Sequence, residues 1–151
     1  MTFQSARFGE IEFTQQDVVT LSNGLLGFED QKRFLILQHG EGGPFRWFHS
    51  IDSDCLAFLV VDPAYFVPHY SPELKGEYAD ELGLNEETHR LVYTIVTIPK
   101  GKPEEMTINL AGPIVINAES KVARQVVVED EEYSVRHRVF RKSDTPEPVA
   151  A

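Results

Sequence analysis

The sequence predicts an all-β fold: a single-domain, antiparallel β-barrel-like arrangement of short strands with one short helix. Three observations predict it. β-Branched and aromatic residues gather in short runs, Gly, Pro, Asn and Asp break those runs at regular intervals, and a single stretch carries both a helix-start and a helix-stop signal. A chain of 151 residues suits one domain with its own core, and 42% hydrophobic with 25% charged residues is a globular composition.

The elements follow in order. Residues 10–14 alternate polar and apolar, as a strand with one wet face does, and 17–21 form a second β-branched run broken by Ser22-Asn23-Gly24. Residues 25–30 read as a compact loop or short helical turn. Residues 33–39 carry Phe34-Leu35-Ile36-Leu37 and suit a buried strand, followed by a Gly-rich turn at 40–44. Strands at 45–51 and 56–61 flank a hinge at Asp52-Ser53-Asp54, and Asp62-Pro63 stops the second because proline cannot donate to a ladder. In the first of them, Phe48 must face opposite to Phe45 and Trp47.

An aromatic connection, residues 64–70, leads to the helix at 71–82. Ser71 suits its cap, Pro72 its first turn and Glu73 the positive end of its dipole, while Leu74, Tyr78 and Leu82 form an apolar stripe that Gly83 ends. Strands at 91–98, 107–111, 114–117 and 122–129 complete the series, with a kink or sheet switch at Gly112-Pro113. The folded domain is expected over 1–140. The polar, proline-rich residues 141–151 read as a flexible tail.

Charge narrows the function. Fourteen Lys and Arg against 24 Asp and Glu leave a net charge of −10. A phosphate backbone repels such a surface, which argues against direct nucleic-acid binding and favours a basic protein partner. One cysteine, no signal-peptide pattern at the N-terminus and no apolar stretch long enough to span a bilayer point to a cytoplasmic protein without membrane contact.

Catalytic chemistry finds little support. The five histidines lack metal-ligand spacing, so no metal is expected. No Gly-rich loop leads from a strand into a helix, so no nucleotide cofactor is expected. His49, Asp52 and Cys55 lie close in sequence, and an activated thiolate needs such neighbours, but no cysteine-enzyme signature surrounds them. They keep open the alternative of a small β-barrel enzyme or ligand-binding protein, which a deep pocket with convergent polar groups would favour. A third reading, a nucleic-acid mimic, rests on the −10 charge alone. Carboxylates cluster at Glu86-Glu87 and at Glu129-Asp130-Glu131-Glu132, as a solvated turn or a docking surface for a basic partner does.

Several segments together resemble the FliW family of flagellar assembly factors. Phe8-Gly9-Glu10-Ile11, Gly24-Leu25-Leu26-Gly27-Phe28-Glu29-Asp30, the strand 56–61 ending in Asp62-Pro63, Ile95-Val96-Thr97-Ile98-Pro99 and the stretch 106–117 are similar to that family's motifs in order and spacing. Leu26 stands where the family usually has proline and Gly112 where it usually has alanine. The resemblance implies a non-enzymatic protein without cofactors that binds newly made flagellin and the translational repressor CsrA, so that captured CsrA no longer represses flagellin synthesis. Composition then suggests which residues meet a partner: Glu129, Asp130, Glu131 and Glu132 for steering, Tyr65, Phe66 and Tyr70 for anchoring, with Met106 and Asn109 as further contacts.

Overall fold

The computed structural model describes residues 1–38, 43–72, 74–85 and 87–140. His39, Gly40–Gly42 of the Gly-rich turn, Glu73, Glu86 and the expected tail 141–151 lie outside the described residues. The described chain runs β1 (Thr2–Ser5), β2 (Gly9–Glu12), β3 (Val19–Leu21), β4 (Arg33–Gln38), β5 (Phe45–Ser50), β6 (Ala57–Val61), α1 (Gly76–Leu82), β7 (Arg90–Thr97), β8 (Thr107–Ile108), β9 (Ile114–Asn117), β10 (Val122–Gln125) and β11 (His137–Arg138).

Seven strands close into a barrel in the order β7-β6-β5-β4-β3-β10-β9, with β9 returning to β7. Neighbours pair antiparallel throughout the ring except β3 and β10, which run parallel at Val122 opposite Thr20 and Ala123 opposite Leu21. Strand alternation explains the interior. Ile36 pairs with Phe48, Phe48 with Phe58, Val60 with Ile95, Leu91 with Ile116 and Ile116 with Ala123, so one face of every strand turns inward. Val19, Leu21, Phe34, Phe48, Val60, Ile114 and Ile116 fill that space, with the Phe34 and Phe48 rings stacked at a centroid separation of 4.3 Å. Phe48 is thus the inward aromatic of β5, and Phe45 and Trp47 lie half-buried on the outer face.

Three structures cover the outside of the barrel. The hairpin β1–β2 lies over β5, with Phe3 and Phe8 edge-on to the buried His49 ring. The connection after β6 and the C-terminal stretch cover a cluster of Val61, Val96, Met106, Ile108 and Leu110. Helix α1 sets Tyr78 and Leu82, with Leu74 just before it, against Val115, Val126 and Val128.

The helix is shorter than its sequence signals. It begins at Gly76 rather than Ser71, and Lys75, with extended backbone, occupies the cap position without a side-chain hydrogen bond. The Ser71 N–H donates to the Tyr133 hydroxyl, and Leu74 packs against the cluster under the helix. The far end is as expected, with Gly83 left-handed at φ 67° and its N–H on the last carbonyls. Two strands went unread. β1 pairs with β2 from Thr2 opposite Glu12 to Ser5 opposite Gly9, and β11 pairs with β8. The last long run is also split. β10 ends at Gln125, yet Val126 and Val128 still donate to the Pro113 and Ala111 carbonyls at 2.9 and 2.8 Å.

The stacked pair gives a direct test of the barrel core. Phe48→Ala leaves a cavity facing Phe34 and is expected to cost about 3–5 kcal/mol, read as a lowered urea midpoint with an unchanged slope.

Candidate functional site

The residues that suggested nucleophilic chemistry are engaged separately. His49 is fully buried, with Nε2 2.8 Å from the Ser5 hydroxyl and Nδ1 2.7 Å from the Ser50 carbonyl. Since Nδ1 must donate to that carbonyl, Nε2 accepts from Ser5, whose oxygen in turn accepts the Arg7 and Phe8 N–H groups. The ring therefore locks the hairpin to the barrel. Burial acts to raise the Asp52 carboxyl, but hydrogen bonds from the Arg33 side chain and the Lys32 and Arg33 N–H groups outweigh it and hold the group below its ordinary value. Cys55 is exposed in the turn, its sulfur 3.6 Å from the Ser53 hydroxyl. Neither His49 nor Asp52 is thus directed at the thiol as a base and its orienter. Among the described residues no group of three His, Cys, Asp or Glu side chains is placed to hold a metal ion.

A cleft of about 420 Å³ runs along the outside of the barrel, between the connection after β6 and the outer face of β7. Leu74, Val92, Val115 and Val126 form its apolar floor, with Asp62 and Arg90 also lining it. His49, Asp52 and Cys55 take no part in it.

The residues expected to meet a partner divide into three sets. Tyr65 is 63% exposed and stands edge-on to Phe66 at 5.1 Å, so it projects from the connection after β6. Glu129, Asp130, Glu131 and Glu132 are all exposed, and Asp130 shapes their turn by accepting the Glu132 N–H on its carboxylate and the Tyr133 N–H on its carbonyl. Lys75 reaches Glu129 at 3.0 Å, an exposed pair of little energetic weight.

The second set is structural. Phe66 packs half-buried on the cluster of Val61 and Met106. Tyr70 donates its hydroxyl to the Leu110 carbonyl and meets the Tyr133 ring at 4.7 Å. Met106 is only 6% exposed: it lies with Ile108 on the outside of the barrel, and the connection after β6 and the C-terminal stretch cover it. Asn109 forms the third set alone. Its carboxamide oxygen caps the corner by accepting the Ala111 N–H at 3.1 Å, and it leaves little room at Gly112, where an added Cβ would sit 3.0 Å from Asn109 Nδ2 and Gln125 Nε2.

A feature without an expected role stands at one end of the barrel. In the loop 24–30, Leu25 is buried in the barrel core while Leu26 and Phe28 are 59% and 42% exposed. Two large apolar residues beside Gly24 and Gly27 were the available sequence signal, since a turn has no steric need for either.

A filled barrel with these engaged side chains and an exposed aromatic, apolar and acidic periphery is a small β-barrel scaffold. The comparisons make that class specific. The family model described as FliW protein matches residues 2–139. The flagellar assembly factor FliW of Desulfitobacterium hafniense (strain DSM 10664 / DCB-2) is 39% identical over 150 residues, covering 97% of this chain and 98% of that one. That of Magnetococcus marinus is 39% identical over 143 residues, covering 95% and 87%. A crystal structure of the flagellar assembly factor FliW superposes with a TM-score of 0.85 at 29% identity, covering 94% of this chain and 99% of that one. The chain belongs to the FliW family of flagellar assembly factors. No helix among the described residues is long and apolar enough to cross a membrane.

Tyr70 supplies a test of how the aromatic connection is held. Burial, and then the neighbouring Tyr133, push its phenol above the ordinary value. The folded state thus holds this proton more tightly than the unfolded one, so the contribution is complete below about pH 10 and is lost as pH rises beyond it. Tyr70→Phe is expected to cost about 1–3 kcal/mol at neutral pH by leaving the Leu110 carbonyl unpaired. It should also give a shallower loss of stability in urea titrations run above pH 10.

Proposed function

We propose that this chain binds newly made flagellin and, when flagellin is absent, the translational repressor CsrA, and that capture of CsrA relieves repression of flagellin synthesis in the cytoplasm. The observation that carries the reading is the family match across residues 2–139. The net charge of −10 supports it independently: an acidic body attracts a basic RNA-binding protein and repels the RNA that protein holds. In this reading the protein does no chemistry. It acts by occupying another protein's surface.

Tyr65 and the ridge Glu129 to Glu132 remain the proposed anchoring and steering groups. Tyr65 is the cleaner probe of the aromatic connection, because Phe66 and Tyr70 also support the fold. Tyr65→Ala should leave the melting temperature unchanged and speed dissociation from at least one partner by about ten-fold, as loss of an interface aromatic does. Association with CsrA should slow as salt is raised. Surface plasmon resonance with purified flagellin and CsrA reads both rates. Absence of binding to either protein by the unmodified chain refutes the proposal.

A further inference from the structure

We propose that the exposed apolar rim formed by Leu26, Phe28 and Val127 is the docking surface for a partner segment that carries apolar side chains flanked by Lys or Arg. The loop that presents Leu26 and Phe28 is held from several sides. Gly24 has φ +66°, and a Cβ there would lie 2.5 Å from the Glu29 carbonyl oxygen, so the loop closes tightly on itself. Leu25 is anchored in the barrel core. The Leu26 N–H donates to Gln125 Oε1 at 2.9 Å, and Gln125 Nε2 donates to the Gly112 carbonyl at 2.9 Å, which ties the loop to β10 and to the corner before β9. Phe28 donates its N–H to the Leu25 carbonyl at 2.8 Å, and its ring stands edge-on to Phe58 at 5.2 Å.

Val127 stands exposed two residues beyond Gln125, the side chain that holds the loop. Val126 and Val128 turn toward the helix cluster, so alternation puts the 47% exposed Val127 on the side of the strand where Gln125 meets the loop. Leaving such side chains in water on a rigid support gives up burial worth about 25 cal/mol per Å². It also removes most of the ordering entropy that a flexible loop loses on binding. Both features fit a preformed contact surface.

Charge names the occupant. Glu29 and Asp30 follow Phe28 directly, and Glu129, Asp130, Glu131 and Glu132 follow Val127, all exposed. The apolar rim is thus flanked by carboxylates on both chain segments. An acidic segment is repelled there, and a basic one is steered in. Of the two partners in the proposed function, on which this step rests, CsrA is the one whose RNA-binding role calls for basic residues.

The test uses the full chain with Leu26→Ser and Phe28→Ser together, with Leu26→Ser alone as the second variant. The single variant keeps the fold because the backbone N–H, not the side chain, makes the bond to Gln125. Thermal melting checks both. The expected result is dissociation from CsrA at least about ten-fold faster, with flagellin affinity within about two-fold of the unmodified chain. Glu131→Lys with Glu132→Lys should instead slow association with CsrA. Unchanged CsrA affinity in the folded variants overturns this inference alone, and a loss confined to flagellin overturns the choice of occupant. Failure of the unmodified chain to bind CsrA overturns the proposed function and this inference with it.

Discussion

The short parallel contact of β3 with β10 closes the ring of the barrel. Every other junction in the ring joins antiparallel strands. Without the contact at Thr20 and Leu21 the sheet would present two raw edges and open its apolar face to water. It is reinforced where it is made: the Thr20 N–H donates to the Lys121 carbonyl, and Leu21 and Ala123 lie in the common core. β10 then supports surfaces on both sides. Gln125 holds the 24–30 loop, and the strand's extension carries Val126 and Val128 under the helix and leads into the acidic ridge.

In the proposed function the closed barrel leaves its periphery for contacts. Side chains with reactive potential are absorbed into structure: His49 fastens the N-terminal hairpin, Asp52 binds Arg33 and the chain before β4, and Tyr70 fastens the connection after β6. What is left facing water is a set of apolar knobs beside carboxylates, notably Tyr65, Leu26, Phe28 and the residues 129–132. Apolar contact and charge act on different stages of binding. Carboxylates raise the encounter rate with a basic partner, and buried apolar side chains lengthen the life of the complex.

The sequence made most of the barrel legible because alternation and turn chemistry are local signals. β4, β5 and β6 lie where β-branched and aromatic runs placed them, and Asp62-Pro63 stops β6 as expected. What was missed depended on contacts between distant residues. The pattern Thr2-Phe3-Gln4-Ser5 alternates, but its strand identity comes from pairing with β2 and docking on His49. Ser71-Pro72 is a sound local helix start, but α1 begins only at Gly76, and Leu74 and Tyr133 both pack against the cluster under the helix. The candidate site was legible in part. Exposure of the ridge 129–132 follows from its charge, whereas the burial of Met106 and the double duty of Phe66 and Tyr70 depend on what the outer layer covers. Leu26 and Phe28 were visible as residues, but their exposure is a property of a loop whose first leucine is buried.

The proposed action, by occupancy of CsrA rather than by chemistry, is tested most directly on the complex of CsrA with RNA. Fluorescently labelled flagellin leader RNA bound to CsrA would be titrated with the purified chain and followed by anisotropy. The expected result is full release of the RNA near stoichiometric addition, no binding of the chain to the RNA alone, and reversal when flagellin is added in excess. Anisotropy that stays constant through a molar excess of the chain, or that rises because the chain itself binds the RNA, would contradict it.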